Sequence, residues 1–152
     1  MTDSDVPAHW GRAYTAPDIT VYFDLHRCIH FAACIRGLPQ VFDPKVHPWV
    51  QADAAPAGAV AEVVRRCPTG ALHYTLTAGP EEAPAAHTTV AAVQDGPLFV
   101  QGDLSLTTAS GTINETRAAL CRCGGTQNPP YCDGSHRQIG FQAEGIKPQD
   151  QE

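Results

Sequence analysis

The stretch CRCGGTQNPPYCDGSH, residues 121–136, gathers three cysteines and one histidine into sixteen positions. Cys121 and Cys123 are two apart, so on an extended segment both sulfurs face the same side. Cys132 and His136 are four apart, so on one turn of helix they share a face. Asp133, directly after the cysteine, is suited to cap that turn and satisfy its free N–H groups. Gly124, Gly125 and Gly134 let the backbone approach a bulky inorganic centre, and Pro129 and Pro130 stiffen the loop between the pairs. Three thiolates and one imidazole suit a closed tetrahedral zinc site or a [2Fe–2S] cluster, which takes its ligands as one pair per iron. The split into a short Cys-x-Cys and a Cys-x3-His favours two irons, and a zinc-stabilised binding module is the alternative.

Around this stretch, residues 90–142 read as a small β-rich module. VAAVQDGPLFVQGDLSLTT contains two short strands around glycine-bearing turns, and TRAALCRC a third that runs into the cysteines. Upstream, TAGPEEAPAAHTT (77–89) is rich in Pro, Ala and Gly without apolar periodicity and reads as a linker. Downstream, the tail 143–152 is polar and expected to fray.

The N-terminal half carries a different pattern. Residues 1–17 read as an unstructured or draped arm, and ITVYFDL (19–25) as a strand leading to Cys28. HFAACIRGL (30–38) suggests a short helix stopped by Gly37 and Pro39, and HPWVQAD a short strand after a turn. PAGAVAEVVRRC (56–67) has Pro at its start and Val60, Val63 and Val64 at helical spacing. CPTGALHYTL then turns into a last strand. Over residues 18–76 the expected order is β-α-β-β-α-β, the ferredoxin-like arrangement, and the whole chain is expected to be α+β.

Cys28 and Cys34, with a distant Cys67 before Pro68, occupy three of the positions that bacterial ferredoxins fill with C-x2-C-x2-C and a remote Cys-Pro. The central position holds Phe31, which cannot bind iron. Three ligands suffice for a [3Fe–4S] cluster, and His30 as a fourth would allow [4Fe–4S], though a second-shell or surface role for that histidine is the blander reading. Unrelated buried thiols are the bland account of the site as a whole; the element order and Pro68 argue against it. All six cysteines then divide evenly between two centres.

These residues carry two resemblances. Cys121, Cys123, Thr126, Pro130, Cys132, Asp133, Gly134, Ser135 and His136 meet every position of the motif C-x-C-x2-[ST]-x3-P-x-C-D-G-[STA]-H, so the segment resembles the CDGSH iron–sulfur family (mitoNEET-like). That resemblance implies a [2Fe–2S] cluster with Cys121 and Cys123 on one iron and Cys132 and His136 on the other. It also implies a homodimer when a chain has one motif; the membrane anchor of mitoNEET-like members is missing, so no organelle-surface role carries over. VYFDLHRCIHFAACIRGLPQVFD, HPWV and VVRRCPTGAL resemble the divergent mono-cluster ferredoxin family, found in bacteria beside a CDGSH segment. The family name implies a 4Fe–4S centre, and the absent central cysteine leaves the nuclearity open.

Composition narrows the function. With a net charge of −6 and ten Lys and Arg, the chain lacks the basic patch that nucleic acid requires. No apolar run reaches membrane-spanning length, and the acidic, polar start MTDSDVPAHW does not read as a secretory signal. A soluble cytoplasmic protein with reduced thiols is expected. His26, His47 and His73 fall outside ligand spacing, Trp49 is expected in the first core, and Arg65 and Arg66 read as a solvated helix end. No Ser/His/Asp triad, Walker loop or dinucleotide glycine motif is present, so the expectation is a carrier rather than an enzyme. Its partners are then redox proteins, or apo-acceptor proteins if it transfers or senses through a releasable His-ligated cluster. An imidazole ligand raises the potential of a cluster, and a solvent-accessible His136 would take a proton near neutral pH.

Overall fold

A computed structural model describes residues 6–147, so the ends of the expected arm (1–5) and tail (148–152) lie outside the described residues. The protein is mixed α and β and divides into two compact units. The first takes the chain up to Leu25, His30–Cys67 and Ala71–Ala83; the second takes His26–Ile29, Pro68–Gly70 and the chain from Pro84 onward.

In the first unit, β1 (Arg12–Thr15), β2 (Ile19–Phe23) and β3 (Leu72–Leu76) form an antiparallel sheet with β2 in the centre. The tight Ala16–Asp18 link sets the β1–β2 register at Tyr14↔Val21, and Val21 pairs on its other side with Tyr74. Two helices follow β2: α1 (Ala33–Gly37) and α2 (Ala57–Arg65). Pro56, with φ −58°, stands at the N-cap of α2; its fixed φ suits helix entry and it has no N–H to leave unpaired there. Val60, Val63 and Val64 are buried as their spacing predicts, and they pack with Ile19, Val21, Leu72, Val41 and Phe42. Trp49 joins the edge of that core, its ring set edge-on to Phe23 at 4.9 Å between centroids.

Two expectations need correction here. Arg12–Thr15 is a strand, not part of a draped arm: Ile19–Phe23 has two ladder edges to satisfy, and the segment before the Ala16–Asp18 turn covers one of them. The observed order is β1-β2-α1-α2-β3 rather than β-α-β-β-α-β. Where the additional strand was expected, one isolated bridge, Phe42↔Val50, forms. Pro44 and Pro48 lie between the bridged residues and interrupt ladder pairing.

In the second unit, β4 (Thr89–Ala92), β5 (Leu98–Thr108) and β6 (Gly111–Leu120) form another antiparallel sheet, with β5 in the middle. β5 and β6 are longer than the short strands expected. Val100, Leu104 and Ala118 make a small core, with Leu106 and Leu120 against it. The chain beyond Phe141 is not frayed over its described part. Ile146 N–H donates to Ala92 O at 2.8 Å, Gln94 N–H donates to Ile146 O at 2.8 Å, and Asp95 N–H donates to Ala143 O at 2.9 Å. The tail finds unpaired β4 backbone, a partner that a composition-based reading cannot see. The last helix is α3 (Ser135–Gln138).

Candidate metal centres

The second unit presents its thiols where β6 ends. Leu120 is the last strand residue, and Cys121 N–H donates to Pro130 O at 2.8 Å while Cys132 N–H donates to Ala119 O at 2.8 Å. These two bonds fold the 121–132 loop back on itself and set both cysteine-bearing segments side by side. Cys121 Sγ lies 3.8 Å from Cys123 Sγ, and Cys132 Sγ lies 3.5 Å from His136 Nδ1. The ligand candidates are therefore paired as their spacing predicts. Among the described residues the pairs do not merge into a group of three or more acidic, His or Cys side chains able to hold a single ion.

The local geometry differs in one respect from the expected shared helical turn. Helix α3 begins only at Ser135, so His136 is helical while Cys132 precedes the helix. Gly134 intervenes in a left-handed conformation, φ 88°, which a side chain would resist. Asp133 acts at the helix entrance as expected, its Oδ1 accepting from Ser135 N–H at 3.0 Å and from Ser135 Oγ at 2.6 Å. Its other oxygen accepts from Gln127 N–H at 2.8 Å. These bonds, the Ser135 hydroxyl foremost, hold its carboxyl down to about 2. Thr126 Oγ1 donates to Tyr131 O at 2.6 Å and accepts from Asn128 N–H at 3.0 Å.

Three thiols accept backbone N–H groups: Cys121 from Gly124 at 3.3 Å, Cys123 from Gly125 at 3.3 Å and Cys132 from Gly134 at 3.4 Å. Such donors stabilise sulfur in its charged form. At Cys121 burial pushes the thiol pKa up, but the N–H groups of Thr126 and Gly124 and the neighbouring Cys123 outweigh it, and the net shift is downward. Cys132 is the buried member, 3 % exposed, and burial pushes its thiol up. Burial, with the Arg137 guanidinium next in chain, holds His136 below the ordinary imidazole value. A neutral Nδ1 facing a sulfur, a second thiol pair and amide donors on three sulfurs make a donor set that fits a thiolate-ligated metal centre.

Cys28, Cys34 and Cys67 are half-buried cysteines outside any disulfide. Cys34 and Cys67 pack against the first unit's core, whereas Cys28 belongs to the His26–Ile29 segment of the second unit. His30 is exposed and has φ 60°, and Ala32 has φ 68°. Two non-glycine residues in left-handed conformation within one short loop are uncommon, and such outliers concentrate at functional sites. His73, expected outside any ligand set, is buried, with its ring 4.4 Å from the Trp10 ring in a stack. Arg66 pairs with Glu62 at 2.9 Å on the solvated face of α2.

Reading the sequence did not find the residues that support the ligand loop. Arg122, inside the Cys-x-Cys, donates to Val93 O at 2.6 Å, Gly96 O at 3.1 Å and Glu144 O at 3.2 Å, with its guanidinium over the Phe141 ring. Its position between two ligand candidates was the available signal; its partners, 22 to 29 residues away, were not legible. Arg27 and Glu115, 88 residues apart, form a buried ion pair with no local signal at all.

Comparison with known proteins bears on both regions. A family model described as a divergent 4Fe-4S mono-cluster matches residues 14–77. A second, described as an iron-binding zinc finger of CDGSH type, matches residues 95–137. The Escherichia coli K12 protein YjdI, itself described as uncharacterized, is 40% identical over 63 residues, which is 41% of this chain and 83% of that protein. The YjdI of E. coli O157:H7 matches at the same values.

Proposed function

Because the chain belongs to the divergent 4Fe-4S mono-cluster family and joins that domain to an iron-binding CDGSH-type domain, we propose that it is a two-centre iron–sulfur electron carrier rather than an enzyme. The observation that carries this reading is the pairing of Cys121 with Cys123 and of Cys132 with His136, at 3.8 and 3.5 Å. One pair per iron is what a [2Fe–2S] cluster takes, whereas one zinc ion needs all four ligands around a point. Cys28, Cys34 and Cys67 are proposed for a [3Fe–4S] cluster, with His30 as the added ligand of a [4Fe–4S] form.

Each bound centre supplies a one-electron couple. The chain's own residues set its terms. Gly124, Gly125 and Gly134 aim N–H groups at the sulfurs, favouring added negative charge. His136 contributes a neutral ligand, which raises the potential of its site relative to an all-cysteine one. Among the described residues no helix is long and apolar enough to cross a membrane, in keeping with a cytoplasmic carrier whose net charge of −6 favours basic faces of redox proteins. A homodimer through the CDGSH-type unit is part of this reading.

Protein purified without oxygen is expected to contain acid-labile sulfide matched to iron and to give two distinct EPR signals. His136→Cys is expected to lower the midpoint potential of one signal alone, by on the order of 100 mV or more. A single reducible centre overturns the two-centre carrier, and a colourless, zinc-replete protein without sulfide overturns iron–sulfur function altogether.

The half-exposed Cys121 and Cys123 pair favours a second reading, donation or redox-sensitive release of the His-ligated cluster to an apo-acceptor, whose thiols could reach that edge. Burial holds His136 below its ordinary value of 6.5, so protonation-driven transfer to an apo-ferredoxin is expected to accelerate only on the acid side of that pH. Transfer that is absent at every pH excludes this reading.

A further inference from the structure

The second unit incorporates a four-residue strip from the N-terminal half, His26–Ile29, and Cys28 sits inside it. Two side-chain bonds reach this strip's backbone from the segment that carries the C-terminal ligand candidates. Asn128 Nδ2 donates to His26 O at 3.1 Å, and Arg137 Nη1 donates to Ile29 O at 3.0 Å. Cys28 is thus bracketed by held carbonyls, two residues before it and one after. Between them, Arg27 is buried: it pairs with Glu115, donates to Thr69 O at 2.5 Å and Arg117 O at 3.0 Å, and lies over the Tyr131 ring at 4.7 Å. Close packing extends to Gly70 in the second short strip, where an added Cβ would collide with Arg117 O.

The origin of these contacts matters. Asn128 lies in the loop between Cys123 and Cys132, Tyr131 adjoins Cys132, and Arg137 adjoins His136. The segment's helical structure is the four residues of α3, far below the length at which a helix holds itself. Beyond the backbone bonds at Cys121, Tyr131 and Cys132, its order depends on its side-chain bonds and on whatever its thiols and imidazole bind. Whatever orders Asn128, Tyr131 and Arg137 also orders the strip on which Cys28 is carried.

We infer that Asn128 and Arg137 are positioning residues for Cys28, so that occupancy of the Cys121–His136 site and occupancy of the Cys28 site are thermodynamically coupled. The coupling half of this inference rests on the two-centre reading; the positioning half does not. Linkage requires the effect to be reciprocal: filling either site strengthens the other by the same factor. No bond is made or broken and no electron moves; the link is shared ordering of one strip of backbone.

Two measurements on the full-length chain test it, using N128A, R137L, the double variant and R137K. In metal-free protein, peptide-resolved iodoacetamide labelling should show Cys28 reacting about 5-fold or more faster in the double variant than in the parent, with Cys34 unchanged and R137K near the parent because lysine still donates to Ile29 O. In iron–sulfur-loaded protein, the EPR signal of the Cys28 centre should decay faster under EDTA when C132S empties the other site, and this acceleration should vanish in the double-variant background. Far-ultraviolet circular dichroism and the urea unfolding midpoint, which a general loss of structure would disturb, should stay near the parent's in N128A and R137L. Unchanged Cys28 labelling overturns the positioning role. Two centres that decay independently in the parent overturn the coupling while leaving the two-centre reading intact, and a parent with no Cys28 centre overturns that reading and the coupling together.

Discussion

At the residue scale the four C-terminal ligand candidates are not equivalent. Cys121 has its thiol lowered despite burial, because backbone N–H groups point at it, whereas Cys132 is buried and raised. In metal-free protein at neutral pH, Cys121 is expected to alkylate well before Cys132, and mass spectrometry of the 121–136 peptide checks the order. Asp133 has a separate role. Its carboxyl is held at about 2 by Ser135 and Gln127, below an unfolded value of about 3.9. A depressed carboxyl stabilises the folded loop above the unfolded value and loses that contribution as pH falls through the folded one. Protection of the Gln127 and Ser135 amides from hydrogen exchange is therefore expected to decline between about pH 4 and 2. D133N should remove that pH dependence; an unchanged acid profile would show that another group is responsible.

At the element scale, the ligand loop is framed by β6, by α3 and by the returning tail. Arg122 joins them: one guanidinium satisfies carbonyls of the β4–β5 turn at Val93 and Gly96 and of the tail at Glu144. Charged hydrogen bonds of this kind stabilise by about 1.5–3 kcal/mol each when well shielded, and Arg122 is half-buried. Arg122→Ala is expected to destabilise the protein by about 2 kcal/mol and to expose the Gln94 and Ile146 amides, which now bond across the β4–tail bridge. Hydrogen exchange resolved by residue separates this from a global effect. In the first unit the corresponding element is α2, where Val64 is fully buried. Val64→Ala is expected to cost about 2 kcal/mol from lost burial and the cavity left behind, measured by denaturant unfolding.

At the scale of the molecule, the two units pose different folding problems. The first buries a contiguous core of thirteen residues around α2 and its sheet. In the second, Val100, Leu104 and Ala118 form a smaller cluster among the described residues, and polar fastening adds to it, including the Arg27–Glu115 pair, whose side chains are 4 % and 0 % exposed. Removing one partner of a buried pair strands the other charge, at about 3–5 kcal/mol. Glu115→Ala is thus expected to lower the unfolding free energy by that amount in a urea titration, and a loss below about 1 kcal/mol would mean that water reaches Arg27.

Much of this could be read from the chain before any fold was known. The ligand pairs follow from spacing because two and four residues are the repeats of extended and helical backbone, and α2 follows from valines at positions 60, 63 and 64. Pro56 and Pro68 mark their turns by the same local logic. Strand β1, the docked tail and the isolated Phe42–Val50 bridge were not legible, since whether a backbone edge is filled depends on which distant segment reaches it. Likewise nothing near Arg27 announces Glu115, and nothing near Asn128 announces His26. The amino-acid order was enough to say which sulfur and imidazole atoms stand together, and in which pairs, because that is a matter of short-range geometry. Only the tertiary structure decided which thiol is buried, which amides point at sulfur and what holds Cys28 in place, because those depend on chain segments brought together across separations of about a hundred residues.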